Sequence, residues 1–338
     1  MMLSPRRIAP ANVPDGPPVL VVTVDTEEEF DWSAPFSREA TGVTHMREIG
    51  ALTQLCQQYG VIPCYLVDYA IVSQEEGWRP LAELVAHGLC EIGAHLHPWV
   101  NPPFVEQVSN RNSYPGNLPA SVERGKLVEL VRMITGRFGQ RPVTYRAGRY
   151  GVGPSTARTL EELGFQIDTS VVPRTSFRAD EGPNFSKIDA SPYHWHGGGR
   201  RLLELPLTVG WVGHLRHAGP MLQPLVNSAP GQKMKLGGVL VRTGLYERIR
   251  LSPEGATFDE LVRLTGALLK RNHRVFNFSF HSPSLAAGHT PYVRDADEQN
   301  RFLDTIRRYF EHFLGELNGV SLTPSALRAQ ILSAEAKS

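Results

Sequence analysis

Short apolar segments alternate with helical segments along most of the chain, and this alternation restricts the folds that it can adopt. The first apolar run, VLVVTVD at 19–25, is continuous in the way that strands buried on both faces of a parallel sheet are. Later segments follow the same rhythm, with strands predicted at 61–67, 90–97, 143–148, 165–172, 202–208 and 274–280, and helices at 43–59, 78–88, 121–138, 154–163, 257–271 and 295–316. This alternation predicts a mostly parallel α/β sheet, and a closed or distorted barrel is its simplest form at this length.

The 338 residues divide into three parts. A proline-rich N-terminal arm at 1–17 precedes the barrel, which we expect at 18–316, and a C-terminal tail at 317–338 follows it. The segment 213–256 is rich in Gly, Pro and Arg and interrupts the alternation, which indicates an excursion over one face. Length alone would favour about two domains, but a single α/β barrel can be this long.

Charge and cysteine content argue against several classes of protein. Lys and Arg total 35 against 34 Asp and Glu, so the chain lacks the cationic excess expected of a protein that binds nucleic acid or an anionic membrane. Cys56, Cys64 and Cys90 are too few and too scattered for a disulfide framework, and we expect free, buried thiols. The N-terminal residues contain no apolar signal-peptide core, and no segment has the ~18–20 apolar residues of a membrane span. These features predict a cytoplasmic protein.

Two histidines end a predicted strand in EIGAHLHPW, at 91–99. Side chains two apart in a strand point to the same face, so His95 and His97 can converge on one ion. Pro98 ends the strand, which places the pair at its carboxyl end, where the active sites of parallel α/β sheets collect. The pattern indicates either a metal site or a pair of exposed surface histidines.

The first strand ends in acidic residues. In VVTVDTEEEFDW, at 21–32, Asp25 and Glu27 are two apart and should share a face at the carboxyl end of the strand. A charge at that position favours a catalytic role for Asp25 over a structural role as a helix cap. We interpret Glu28 and Glu29 as part of a solvated acidic run.

Two further strand ends carry groups suited to catalysis. TYRAGRYGVG, at 144–153, presents Arg146 and Arg149 on a glycine-rich turn. This turn can offer a backbone N–H to an oxyanion, form a phosphate-type nest, or simply make a tight strand-to-helix connection. FNFSFHSPS, at 276–284, places His281 at the end of a strand rich in aromatic residues. This histidine suits a general acid or base, or a buried and hydrogen-bonded core position.

Other motifs are weaker candidates. HWHGGG, at 194–199, has the same His-x-His spacing, but it lies in a loop, and the chain has no G-x-S-x-G nucleophile elbow to accompany the HGGG sequence. His214 and His217 lie in the excursion without a paired carboxylate. The sequence has neither a Walker A motif nor a usable dinucleotide-binding glycine fingerprint, which argues against a nucleotide-binding fold.

Taken in order, these motifs resemble those of the polysaccharide deacetylase family (carbohydrate esterase family 4, with a NodB-type domain), and most closely its WalW-like branch. VDTEEEFDW corresponds to the family's Asp-Asp motif, and EIGAHLHPW corresponds to its metal histidines. YRAGRYG corresponds to the arginine turn, GFQIDTSVVP to the strand that follows it, and FSFHSPS to the late catalytic histidine. The resemblance covers roughly residues 18–315. It implies a distorted (β/α) barrel of about seven mostly parallel strands.

The resemblance also implies roles for individual residues. Asp25 would be the catalytic base, Arg146 would orient Asp25 and tune its pKa, and His281 would protonate the leaving amine. His95 and His97 would bind one divalent metal ion, zinc or another such as cobalt.

The chain departs from the family pattern in three places. Asp-Thr-Glu replaces the two adjacent aspartates, and Glu27 is assigned as the acidic metal ligand because it shares a face with Asp25. The histidines are two apart rather than the commoner four. The arginine turn lacks its proline, and we place the oxyanion donor at a backbone N–H near Tyr150.

The implied activity is the removal of N-acetyl groups from a saccharide or glycan precursor by a metal-dependent hydrolase. Two alternatives are an amidohydrolase of the same architecture that acts on a small non-sugar amide, and a catalytically silent carbohydrate-binding homologue, which the altered motifs support. Trp99 and the aromatic residues at 32–36 and 193–196 could stack on a sugar ring, pack in the core or anchor a loop. The expected partners are an N-acetylated carbohydrate or a small amide, with no nucleic acid and no membrane span.

Overall fold

The structure is a computed structural model that describes residues 8–195, 202–226 and 228–337. Its strands are β1 (Ile8–Pro10), β2 (Val19–Thr26), β3 (Cys64–Val67), β4 (Glu91–Leu96), β5 (Thr144–Ala147), β6 (Ile167–Asp168), β7 (Tyr193–Trp195), β8 (Leu202–Glu204), β9 (Val209–Val212), β10 (Glu247–Arg250), β11 (Val275–His281) and β12 (Val320–Ser321). Its α-helices are α1 (Ile49–Tyr59), α2 (Tyr69–Ser73), α3 (Glu75–Ala86), α4 (Ala120–Phe138), α5 (Thr156–Glu162), α6 (Gly219–Val226), α7 (Ala229–Lys233), α8 (Leu236–Arg242), α9 (Phe258–Leu269), α10 (Ala296–Phe310) and α11 (Pro324–Glu335).

Seven parallel strands form one curled sheet in the order β8-β6-β5-β4-β3-β2-β11. The antiparallel strands β7 and β1 extend the sheet beyond β8, and β12 pairs with the start of β2. In the described part of the chain, no ladder joins β11 back to β8, so the sheet is a half-barrel rather than a closed one. This architecture confirms the predicted distorted (β/α) barrel.

The first long strand shows how the sequence builds the two sides of this sheet. Leu20, Val22 and Val24 point outward into the large core between the sheet and the helices. Val19 and Val21 point inward and belong to a smaller cluster at the bottom of the barrel. The two sets alternate because successive side chains of a strand lie on opposite faces, and both sides are apolar because both are covered.

Two predicted strands are much shorter than their apolar patterns suggest: the segment predicted at 202–208 forms a strand only at Leu202–Glu204, and the other is shorter still. The sequence predicts a strand at 165–172, but the ladder covers only Ile167–Asp168. The N–H of Thr169 still donates to the carbonyl oxygen of Tyr145 at 2.9 Å, but side chains accept from the next two N–H groups. The N–H of Ser170 donates to Oδ1 of Asp168 at 3.2 Å, and the N–H of Val171 donates to Oε1 of Glu204 at 2.9 Å. Side-chain acceptors that compete with a ladder are not visible in hydrophobic periodicity.

The segments outside the predicted barrel also contact it. β1, within the arm at 1–17, pairs with β7, and β12, within the tail at 317–338, pairs with β2. In the excursion at 213–256, three short helices lead to β10, which pairs with β9 in a separate two-stranded sheet. The three cysteines are buried free thiols, as expected. None of the helices in the described residues is long and apolar enough to cross a bilayer.

The packing of α11 yields a stability prediction. Leu327 and Ile331 are fully buried in the bottom cluster of the barrel, whereas Gln330 on the same helix is exposed. Replacing Leu327 or Ile331 by Ala should therefore lower the free energy of unfolding by about 2–4 kcal/mol, because each change leaves a cavity. Gln330→Ala should change it by less than about 0.5 kcal/mol. Denaturant titration gives the free energy of unfolding of all three variants. Equal changes in the three would show that Leu327 and Ile331 do not pack in the bottom cluster of the barrel.

Candidate metal and catalytic site

The predicted site residues meet at the carboxyl ends of two pairs of neighbouring strands, which β3 separates. Asp25 on β2 is the aligned partner of His281 on β11, and His95 on β4 is the aligned partner of Arg146 on β5. All four side chains are buried. Strand register therefore brings together groups that are more than 200 residues apart in the chain, at the edge of the sheet where parallel α/β proteins place their active sites.

Glu27, His95 and His97 form the cluster best suited to hold a metal ion. Oε2 of Glu27 lies 3.2 Å from Nε2 of His95 and 3.5 Å from Nε2 of His97. All three side chains are buried. Burial lowers the pKa of both histidines, so the imidazoles are neutral and can act as ligands. Burial also raises the pKa of Glu27, because a lone carboxylate is poorly stabilised there.

The hydrogen bonds of the two imidazoles determine which nitrogen faces the cluster. Nδ1 of His95 donates to the carbonyl oxygen of Arg146 at 3.1 Å, and Nδ1 of His97 donates to Oε2 of Glu28 at 2.9 Å. Each Nε2 atom therefore presents a lone pair to the carboxylate of Glu27. Three electron-pair donors facing one another suit a divalent cation, and two imidazoles with one carboxylate are a common zinc ligand set.

The two acidic residues predicted to be solvated are not solvated, and this prediction is wrong. The side chain of Glu28 is completely buried, where it accepts hydrogen bonds from His97 and, at 2.7 Å, from Nε1 of Trp99. The side chain of Glu29 is only 15% exposed and accepts a hydrogen bond from Nδ1 of His45 at 2.9 Å. The chain turns inward after β2, and these hydrogen bonds offset the loss of water around the carboxylates.

A second group of potential ligands surrounds the other side of His97. Glu28 and Asp68 lie close to its Nδ1 atom. Asp68 also accepts hydrogen bonds from the backbone N–H groups of Ile71, at 2.8 Å, and of Glu28, at 3.3 Å. Because the Nδ1 proton is shared with Glu28, this group orients the ring of His97 and does not offer a vacant lone pair.

Asp25 is held in its ionised form by Arg146. The two side chains form a buried ion pair, and the guanidinium also donates to Oγ of Ser279 at 2.8 Å. Burial raises the pKa of Asp25, but the attraction of Arg146, helped by His95 and His281, outweighs burial and lowers it to about 2. The carboxylate is thus ready to accept a proton at neutral pH.

His281, unlike Asp25, is held in its protonated form. Its Nδ1 donates to Oε2 of Glu254 at 2.8 Å, its backbone N–H donates to Oε1 of the same residue at 3.0 Å, and its Nε2 lies 3.7 Å from Oδ2 of Asp25. Burial lowers the pKa of His281, but Glu254, with Glu27 and Asp25, raises it to about 9. His281 therefore carries a proton at neutral pH and can give it up through Nε2.

These groups open into a cavity of about 350 Å³. Its aromatic walls include Trp99, which stacks on His97 with ring centroids 4.2 Å apart, and Phe36, whose ring lies 4.4 Å from that of Trp99. Trp32 meets the edge of His281, with ring centroids 5.0 Å apart. The aromatic residues at 32–36 and Trp99 thus line the cavity. By contrast, Tyr193 and Trp195 lie in the hydrophobic core.

The turn after β5 has an unusual backbone. Arg149 and Tyr150 both have positive φ angles, 52° and 61°, in the left-handed region that few residues other than glycine adopt. Arg149 forms an ion pair with Asp180, and its guanidinium lies 4.1 Å from the ring centroid of Tyr114. Arg149 and Tyr150 line the cavity, so the strained turn lies beside the reaction centre, where such strain is often found.

The sequence motifs missed two carboxylates of the site. Asp68 directly follows β3, so it carried the same strand-end signal as Asp25 and could have been found. Glu254 had no such signal, because it lies in a loop after β10 and reaches His281 only through the tertiary structure.

The prediction that HWHGGG lies in a loop is wrong for its first two residues, because His194 and Trp195 belong to β7. His194 lies away from the site, where its Nε2 contacts Oε1 of Glu335 at 2.7 Å. Positions 196–199 of HWHGGG are outside the described residues. His214 and His217 belong to none of the potential metal clusters found in the described part of the chain.

Comparisons with known proteins agree with this architecture. No protein-family model and no curated protein matches the chain. It is similar in structure to a putative polysaccharide deacetylase from Mycobacterium smegmatis (TM-score 0.56, 16% identity, covering 97% of this chain and 94% of that chain). It is also similar to a probable polysaccharide deacetylase from Pseudomonas aeruginosa PAO1 (TM-score 0.55, 15% identity, 92% and 90%) and to Puue allantoinase (TM-score 0.55, 14% identity, 93% and 90%). The chain therefore shares its fold with polysaccharide deacetylases.

The arrangement of Asp25 and Glu27 predicts distinct effects on metal content. Glu27→Gln should weaken metal binding, because a neutral amide is a poor ligand for zinc-like ions, and a His95→Ala, His97→Ala double variant should abolish it. Asp25→Asn should keep the metal, because Asp25 faces Arg146 rather than the cluster. Metal analysis of the purified variants, with His194→Ala as the control, tests these roles. Full occupancy in the double variant would contradict the site, and an empty site in Asp25→Asn alone would exchange the roles of the two acids.

The contact between His281 and Glu254 predicts a pH effect. A proton donor with a pKa near 9 is active below that pH and is lost as the pH rises through it. Glu254→Gln removes the main attraction that raises the pKa, so the alkaline limb of the pH profile of kcat/KM should move to lower pH. The acidic limb, which depends on Asp25, should move little. An alkaline limb that stays in place in the variant would show that His281 is not the group that titrates there.

Proposed function

We propose that the protein is a metal-dependent hydrolase that removes an N-acetyl group from an amine, with an amino sugar or glycan precursor as the substrate. The observation that carries this proposal is the placement of three kinds of group around one cavity. A convergent ligand set (Glu27, His95, His97) adjoins an ionised carboxylate, Asp25, and a protonated histidine, His281. Metal-assisted hydrolysis of an amide uses these three functions: a Lewis acid held by the ligand set, a proton acceptor and a proton donor.

The metal would be held by Glu27, His95 and His97, and zinc suits this set, although cobalt or another divalent ion could take the same ligands. When bound, it would activate the acetyl carbonyl and the attacking water as a Lewis acid. Trp99 and Glu28 keep the ring of His97 in place through stacking and a hydrogen bond, so the ligand geometry is preorganised.

The proton transfers follow from the two charged pairs. Asp25 accepts the proton of the attacking water, and Arg146 keeps the carboxylate ionised until then. His281 delivers its proton from Nε2 to the departing amine, and Glu254 on the other side of the ring stabilises the cation before transfer. The backbone N–H of Tyr150 is the proposed donor to the oxyanion, on a turn that already borders the cavity.

An amidohydrolase acting on a small non-sugar amide is the second candidate. The size of the cavity favours it, since about 350 Å³ is near the lower end of the range for small-molecule sites. A catalytically silent homologue has less support, because residues suited to each function line the cavity despite the altered motifs. Assignment to the WalW-like branch stays a prediction.

Metal loading and acetate release together test the proposed function. The protein should bind about one divalent ion per chain and release acetate from at least one member of a panel of N-acetyl sugars and small N-acetyl amides. Metal binding with hydrolysis of small amides only would favour the second candidate. Metal binding without hydrolysis of any amide would support the silent homologue.

His281→Ala provides the matched test of mechanism. Turnover should fall by roughly 10²–10⁴ while metal content stays the same, because only the proton donor is lost. The loss should be smaller for a substrate whose leaving amine needs no protonation. Unchanged turnover on an ordinary N-acetyl amine would assign His281 a structural role.

A further inference from the structure

Arg250, at the end of β10, lines the same cavity and takes no part in the proposed chemistry. Its position is fixed by the next residue: the carbonyl oxygen of Leu251 accepts a hydrogen bond from the N–H of Ser279 at 3.2 Å. Ser279 lies two residues before His281 on β11. The excursion therefore returns to the barrel beside the reaction centre and delivers a guanidinium there.

Within the described part of the chain, the guanidinium of Arg250 lacks hydrogen-bond partners of the kind that Arg146 and Arg149 have. Nε and Nη2 of Arg250 are buried and have no hydrogen-bond partner among the described residues. Its guanidinium carbon lies 5.2 Å from the ring centroid of Tyr150. By contrast, Arg146 binds Asp25 and hydroxyl groups of three other strands or loops, and Arg149 is paired with Asp180.

The carboxylates around the cavity cannot supply the missing partner. Asp25 is bound by Arg146, and Asp180 is bound by Arg149. Both carboxylate oxygens of Glu254 accept hydrogen bonds from His281 or Ser284, and Glu27 faces the two histidines of the proposed metal site.

Against the effect of burial, Glu254 and Asp25 attract the guanidinium of Arg250 and raise its pKa, but they do not accept hydrogen bonds from its Nε and Nη2 atoms. Arginine stays protonated in proteins, and buried N–H donors without an acceptor are unfavourable. The cavity therefore contains a cation whose free N–H groups a bound anion would satisfy.

We propose that Arg250 binds an anionic group of the substrate, a carboxylate or a phosphate ester on the amine half of an N-acetylated compound. This inference rests on the proposed function and narrows its substrate class to negatively charged amides. Guanidinium groups suit both anions, because two N–H donors match two oxygen atoms and the charge strengthens each bond. The nearby aromatic walls would cover the uncharged part of such a substrate.

Kinetics on matched substrates tests the proposal. N-acetylglucosamine, its C6-oxidised form N-acetylglucosaminuronic acid, and its 6-phosphate share one acetamide and differ in charge at one carbon. The metal-loaded wild-type protein should show a kcat/KM for one charged substrate roughly tenfold to a hundredfold above that for the neutral sugar, as a charged hydrogen bond predicts. The uronic acid and the phosphate distinguish the two kinds of anion.

Variants assign that preference to one side chain. Arg250→Gln should remove it, and Arg250→Lys should keep part of it. Arg248→Gln is the matched control, because Arg248 lies on the same strand, donates to the carbonyl oxygen of Pro173 at 3.1 Å, and does not line the cavity. Equal kcat/KM for the neutral and both charged sugars in the wild type would overturn the proposal, as would equal losses on all three in Arg250→Gln. If Arg250→Gln does not fold, equal kcat/KM values in the wild type still overturn the proposal, and a reduced preference in Arg250→Lys still assigns it to this side chain.

A binding measurement separates this inference from the proposed function. Glucose, glucuronic acid and glucose 6-phosphate lack an acetamide, so calorimetry measures their binding to the metal-loaded protein without turnover. Binding of one charged sugar that is lost in Arg250→Gln, with no acetate released from any N-acetyl compound, would support the anion site and contradict the deacetylase. Acetate release with no preference for charge and no binding of charged sugars would support the deacetylase and contradict the anion site.

Discussion

The guanidinium of Arg146 links several strands of the barrel through hydrogen bonds in its interior. It forms an ion pair with Asp25 and donates to the hydroxyl groups of Thr23, Thr169 and Ser279, so one buried cation links β5 to β2, to β11 and to the loop after β6. The bottom of the half-barrel is apolar, and this polar layer separates it from the reaction centre. Such a charge is tolerated inside a protein only when every donor is satisfied and an anion balances it. The conformation of Asp25 is therefore fixed by the same contacts that hold the strands together.

Two carboxylates two residues apart have opposite surroundings. Asp25 faces a cation, which lowers its pKa to about 2, whereas burial among other carboxylates raises the pKa of Glu27. Asp25 stays ionised at neutral pH, so it is free to accept a proton. Ionised Glu27 would be unfavourable on its own, but a bound metal cation would stabilise it. Glu254 creates the reverse situation for His281, whose pKa rises to about 9. The charged groups nearest to each side chain thus decide whether it suits proton acceptance, metal binding or proton donation.

Most of the fold could be predicted from the sequence, because burial on both faces makes parallel strands continuous apolar runs with clear ends. The strand-end positions of Asp25, His95 and His281 followed directly, and the sheet register then brought them together as expected. The error over Glu28 has a physical cause: a run of charges looks solvated unless one knows that Trp99 and His97 lie opposite it. Similarly, the short β6 reflects competition from the side chain of Glu204, which hydrophobic periodicity does not record.

The sequence by itself determined the alternation of strands and helices, the polar residues at the strand ends, and the shared face of each pair two residues apart, because these depend on local periodicity. Only the tertiary structure decided which nitrogen of each histidine faces Glu27, that Glu254 holds His281, and that the excursion returns Arg250 to the cavity. These features depend on contacts between segments far apart in the chain. The energy of such contacts comes from the burial and mutual distance of charges, which only the three-dimensional arrangement determines.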